Sequence, residues 1–171
     1  HLEKARSLAS LGSINDYAAA IAEAQQIPAN NPRGQEARKE IGSWVAQIQT
    51  IEDRPYLDRA EQAAMLEDVN SLQAAIAEAS QIRRGRALYR EARTKIANWT
   101  AKIQRIEDQP YLDRAKDLAN AGDLPSAIAT AQQIASGRAL SGEAQAAIDD
   151  WQGQIRAREN WKKAREVAVT G

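Results

Sequence analysis

Cysteine and phenylalanine are absent from this 171-residue sequence, and histidine occurs once, as the first residue. Without cysteine there is no disulfide framework and no thiol chemistry. With one histidine at the end of the chain, zinc sites of the usual Cys/His kind, Ser-His-Asp triads and Cys-His pairs are closed off. Neither charge sign dominates: Lys+Arg and Asp+Glu both number 23, so no net field gathers nucleic acid or an anionic membrane. No apolar run reaches the ~18 residues that a membrane-spanning helix needs. Aromatic residues make up only 5%, so the core has to come mainly from Ala, Ile and Leu. That implies thin helices at close approach, not a large globular centre.

What is present repeats. Ile51-Glu52-Asp53-Arg54-Pro55-Tyr56-Leu57-Asp58-Arg59-Ala60 returns as Ile106-Glu107-Asp108-Gln109-Pro110-Tyr111-Leu112-Asp113-Arg114-Ala115, nine of ten residues identical. Ile21–Ile27 returns with one change as Ile76–Ile82 and again as Ile128–Ile134. Ile27 to Trp44, Ile82 to Trp99 and Ile134 to Trp151 are each 17 residues apart. Fixed self-similarity at about 55 residues marks an array in which each unit leans on its neighbours. The units are 2–55, 56–110 and 111–160, with 161–171 the start of a fourth. In that last segment Trp161-Lys162-Lys163-Ala164-Arg165 aligns with Leu2-Glu3-Lys4-Ala5-Arg6. The chain is therefore expected to be a piece cut from a longer array, and His1 is left out of the reading.

Each unit reads as three helices. Helix A is Tyr56–Met65, seen again at Tyr111–Ala119 and Leu2–Ala9, and ends at Gly12-Ser13, Glu67-Asp68 or Gly122-Asp123. Helix B is short, with Leu72, Ala75, Ile76, Ala79 and Ile82 on one stripe and Pro125 in the first turn of the third copy. A loop follows, then helix C. Its apolar residues step by 4, 3, 4, 3 through Ala37, Ile41, Trp44, Ile48, Ile51 and through Ala92, Ile96, Trp99, Ile103, Ile106. On that seam Trp44, Trp99, Trp151, Ile48, Ile103 and Ile155 are the expected core of the repeats. At the Glu-Asp-x-Pro joint two readings stay open. Either helix C stops and Asp53 and Asp108 cap the next helix A, or one long helix kinks. In the third copy no proline intervenes, and a nearly continuous helix is predicted from Glu143 to Val169.

Candidate chemistry is thin. Gly137 and Gly142 have the spacing of a phosphate loop, but Glu143-Ala144 stands where Lys and Ser/Thr are needed. Glu52, Asp53, Glu107 and Asp108 recur at both joints, which suits capping and surface solvation better than general acid/base work. Arg83, Arg84 and Arg86 form a basic cluster in the second loop. The other loops open on Pro28-Ala29-Asn30 and Ala135-Ser136-Gly137, so the cluster reads as solvated loop and not as a nucleic-acid face. Trp161 stands at a helix A position held elsewhere by Leu and is expected to pack. Tyr56, Arg59, Tyr111 and Arg114 flank the joints and are the candidate partner contacts, since tyrosine buries contact area at low entropic cost.

Two resemblances follow from these residues. The small residues around Gly122-Asp123, followed by Ala127-Ile128-Ala129, are loosely similar to tetratricopeptide arrays, although that family repeats about every 34 residues. The Ala-Ile-Ala-x-Ala-x-Gln-Ile run, Ser136-Gly137-Arg138-Ala139-Leu140 and Ile106–Pro110 resemble cyanobacterial helical-repeat proteins commonly labelled chromosome segregation ATPases. The fold expected is all-α: tandem three-helix repeats forming an elongated α-solenoid or a string of small bundles. The function expected is a non-catalytic protein–protein interaction scaffold. The alternative is a spectrin-like spacer or self-assembly rod. No cofactor, no metal, no nucleic acid and no membrane insertion are expected. The partner is a protein of unknown identity or a second copy, and the cytoplasm is the favoured compartment.

Overall fold

The computed structural model describes residues 1–170, and within them every regular element is a helix. The seven are α1 (Leu2–Ala9), α2 (Ile14–Ala24), α3 (Gly34–Ala64), α4 (Val69–Ala79), α5 (Tyr89–Asn120), α6 (Leu124–Ala131) and α7 (Ser141–Thr170). They group into two compact units. The first comprises His1–Leu66 and Asn70–Trp99; the second comprises Glu67–Val69 and the chain from Thr100 onward.

Local signals set the helix ends. Gly12 (φ 85°) and Gly122 (φ 91°) follow α1 and α5 in the left-handed conformation that a residue without Cβ adopts freely. At the matching place after α3 stands Glu67, at φ 53°. Ser13 and Asp16 start α2 with reciprocal bonds of 3.1 and 3.0 Å between side chain and backbone N–H. Asp123 caps α6, accepting from the Ser126 N–H at 3.2 Å, with Pro125 in the first turn.

The long helices run without a break through their prolines, Pro55 in α3 and Pro110 in α5. A proline inside a helix removes one hydrogen bond and costs about 3 kcal/mol. The carbonyls that lose a donor belong to Ile51 and Ile106, which are 40% and 43% exposed, where water can take the donor's place. No helix begins at these joints, so Asp53 and Asp108 cap nothing. They are instead among the most buried polar residues, at 6% and 7% exposure.

The pattern of burial explains why one helix serves two purposes. Along α3 the inward residues are Ala37, Ile41, Trp44 and Ile48, then Asp53, Leu57, Ala60 and Ala64. The steps are 4, 3, 4, then 5, then 4, 3, 4. At roughly 100° per residue the single step of five carries the buried stripe ~160° round the helix. The first half of α3 therefore buries one face and the second half nearly the opposite face. Ile51 and Ile106, expected to continue the first seam, fall outside it for this reason.

In the first unit α1, α2 and the first half of α3 share a core of Ala5, Ala9, Ala20, Ala24 and Trp44, flanked by Leu8, Tyr17, Ile21 and Ile41. Leu57, Ala60, Leu72, Ala75 and Ala79, from the second half of α3 and from α4, are fully or almost fully buried. In the second unit Ala115, Leu124, Ala127, Ala131, Ile148 and Trp151 form one cluster, with Ile155 packed against it. Leu112, Ile134, Leu140 and Ala144 form another. Alanine on the facing surfaces lets helix backbones approach closely, while Trp44, Trp99 and Trp151, at 8%, 7% and 6% exposure, fill the volume that alanine leaves. Of the other core residues named from sequence, Ile103 is buried and Ile48 and Ile155 are half-buried. Trp161 is 67% exposed, because residues 156–170 of α7 have no helix folded back on them among the described residues.

Ion pairs tie these surfaces together, and their sign changes along the chain. Arg6 of α1 reaches Glu36 and Glu40 of α3 at 2.5 and 2.8 Å. At the matching places Glu61 of α3 pairs with Lys95 of α5. Lys116 of α5 pairs with Glu143 of α7 at 3.1 Å.

Candidate interaction surface at the helix–loop clasps

The buried aspartates each hold a loop. Asp53 Oδ2 accepts from Arg86 Nε at 2.6 Å, and Asp108 Oδ2 accepts from Arg138 Nε at 2.6 Å. One helical turn earlier, the Gln49 side chain accepts from the Ala87 N–H at 2.9 Å, and Gln104 accepts from the Ala139 N–H at 2.9 Å. Glu52 and Glu107 add a second carboxylate to each arginine, at 3.5 and 3.2 Å. The loop is shaped to deliver its arginine. Gly85 and Gly137 take φ of 89° and 84°, and turns close from Arg86 N–H to the Arg83 carbonyl and from Arg138 N–H to the Ala135 carbonyl. A β-branched or bulky residue could not take that backbone without strain. The hydrogen bond from each guanidinium to its aspartate raises the pKa of Arg86 and Arg138 above the ordinary arginine value. Both guanidinium groups are therefore charged at any physiological pH.

Sequence reading missed this arrangement. Arg86 is not a solvated loop residue; only Arg83 and Arg84 are exposed. The signal lay four residues into the loop, in Gly85-Arg86-Ala87-Leu88 against Gly137-Arg138-Ala139-Leu140. Comparing only the opening residues of the loops conceals it. In the first loop Asn31 stands at the arginine position, and its Oδ1 accepts from the Arg33 N–H at 2.9 Å in a local turn.

One turn beyond each clasp aspartate stands a tyrosine. Tyr56 is half-buried, and Tyr111 is 42% exposed. The Arg59 guanidinium carbon lies 4.9 Å from the Tyr56 ring centroid, and Arg59 Nε reaches Glu78 at 3.4 Å. A guanidinium within about 6 Å of a ring centroid is held there by the cation–π attraction. Glu52, Asp53, Tyr56, Gln81, Arg83 and Arg86 line an open cleft of about 320 Å³. Tyr56 and Arg59 thus belong with the first clasp. Tyr111 and Arg114 stand in the same sequence relation to the second clasp, in the second unit.

The clasps bring carboxylates together with guanidinium groups, and the charges are matched at hydrogen-bond distance. Among the described residues no three His, Cys, Asp or Glu are grouped so as to hold a metal ion. No helix there is long and apolar enough to cross a membrane. Comparison with protein families, with characterised proteins and with solved structures finds no match to this chain.

Proposed function

We propose that the chain is an array of three-helix units of about 55 residues that serves as a non-catalytic protein-interaction scaffold. In this reading the second half of each long helix, the short helix after it and the first half of the next long helix make one unit. The observation that carries it is the recurrence of the clasp together with its tyrosine and arginine. A charge-satisfied loop shares a cleft with Tyr56, and the same residues recur in sequence around the second clasp. Repeats that present the same contact at intervals suit an extended partner, which gains affinity from each added contact. The motif resemblance to cyanobacterial helical-repeat proteins agrees with this reading and rests on sequence alone.

The test is affinity capture with two baits, the chain and a variant carrying Tyr56→Ser, Arg59→Ser, Tyr111→Ser and Arg114→Ser. Helicity and thermal unfolding establish first that the variant is folded. A protein held by the chain, lost by the variant and then bound by direct titration with the purified components supports the scaffold. Identical recoveries from both baits refute it and leave a spacer as the better description.

A further inference from the structure

The exposed half of α7 carries the chemistry of a segment that is docked elsewhere in the same chain. Trp161–Ala168 aligns with α1, and α1 shows what that pattern does in place. Leu2, Ala5 and Ala9 are buried at 3%, 0% and 8% exposure. Lys4 lies 3.7 Å from Glu23 of α2, and Arg6 reaches Glu36 and Glu40 of α3. In α7 the matching residues are Trp161, Ala164 and Ala168 on the apolar side, and Lys163 and Arg165 for the two cations. Residues 156–170 hold five Lys or Arg (156, 158, 162, 163, 165) and two Glu (159, 166), a net charge of +3 on a chain whose total is zero.

The charges discriminate among the grooves this segment might enter. The groove beside α1 offers Glu23, Glu36 and Glu40. The equivalent positions of the next groove hold Glu78, Glu91 and Lys95, and those of the last hold Thr130, Glu143 and Ala147. Only the first groove is acidic at all three. The hydrogen bonds of Arg33 and Arg6 hold the Glu36 carboxyl below the ordinary glutamate range. We propose that Trp161–Ala168 of one copy docks in the α2–α3 groove of a second copy in place of that copy's α1, with Lys163 on Glu23 and Arg165 on Glu36 and Glu40. The two surfaces differ, so the contact is head-to-tail and either closes a ring or continues as a chain of copies. Resident α1 competes as part of the same molecule, at an effective concentration of order millimolar. The association is accordingly weak until α1 is loosened. Because it uses none of Tyr56, Arg59, Tyr111 or Arg114, it stands independently of the scaffold reading.

Sedimentation analysis of the full chain from about 10 μM to 1 mM tests it. Leu2→Ala loosens α1 without touching the acidic residues, and is expected to tighten association at least fivefold. Lys163→Glu with Arg165→Glu changes exposed residues only, and is expected to weaken association more than tenfold in both backgrounds. Circular dichroism checks that each variant keeps its helices. If Leu2→Ala itself unfolds the chain, Arg6→Ala replaces it, removing only the competing cation. A monomer mass of 18.7 kDa throughout for the loosened variant overturns the proposal. So does association that survives the double charge reversal.

Discussion

Arg86→Ala is expected to cost more stability than Asp53→Ala, although each deletes the same ion pair. The two side chains meet at 2.6 Å, with the arginine 29% and the aspartate 8% exposed. Remove Asp53, and the guanidinium turns to water and to Glu52, already 3.5 Å away. What is lost is one charge-assisted hydrogen bond, about 1–2 kcal/mol. Remove Arg86, and a carboxylate is left without its partner where the residue is 6% exposed. Breaking a fully buried pair from one side costs about 3–5 kcal/mol. Since water reaches the arginine side, the cost here is about 2–3 kcal/mol. The double variant should resemble Asp53→Ala, giving a coupling energy of about 2–3 kcal/mol in magnitude. Because the chain holds two compact units, the readout has to be local. Hydrogen exchange at the Ala87 amide suits it, since that N–H is bonded to Gln49 across the same joint. Equal losses for the two single variants, or a larger loss for Asp53→Ala, would refute the reasoning.

Glu67→Gly is expected to raise stability by about 1 kcal/mol, since it relieves a left-handed residue and gives up only an exposed pair with Lys102; an unchanged urea midpoint would count against the strain. Asp16 is held below its ordinary pKa, first by the Ser13 side chain and then by the Ser13 backbone N–H. A depressed carboxyl adds stability above the unfolded pKa of about 3.8, and that stability is lost as pH falls through the folded value. Ser13→Ala should therefore move the Asp16 titration upward in an NMR pH series and make stability less sensitive to acid. Leu112→Ala, at a site with no exposure, is expected to cost about 3 kcal/mol, and Trp161→Ala less than about 0.5 kcal/mol. Thermal unfolding of the pair checks both, and similar losses would show that Trp161 packs in solution.

The helix content and several helix ends were legible because their causes are local. Gly12 and Gly122 demand a left-handed turn, Pro125 suits a first turn, and the apolar steps in Ala37–Ile48 trace one face. The helix through Pro55 was legible only as one of two open readings. Its cost is local, but what offsets it is packing on both sides of the joint, distant in sequence from the proline. Asp53 and Asp108 show the same limit. Capping needs a partner within three residues, whereas the partners they have lie 33 and 30 residues away, in loops. A charged residue that recurs at both proline joints points equally to either role, and only the matching Gly-Arg-Ala-Leu of the loops separates them.

The five-residue step in α3 also limits how such a chain can change in length. The short helices absorb changes in length: α6 has 8 residues where α4 has 11, and Ala115 to Ile128 is accordingly three residues shorter than Ala60 to Ile76. Between Ile48 and Asp53 the same freedom does not exist. One residue inserted there would swing every buried side chain of the second stripe by roughly 100° relative to the first, and a deletion of three would swing it by about 60°. A seven-residue insertion would restore the phase to within about 20° but lengthen the helix by about 10 Å, carrying the aspartate out of reach of its loop. The segment is thus timed like a gear tooth, open to substitution at its exposed positions and closed to insertion or deletion.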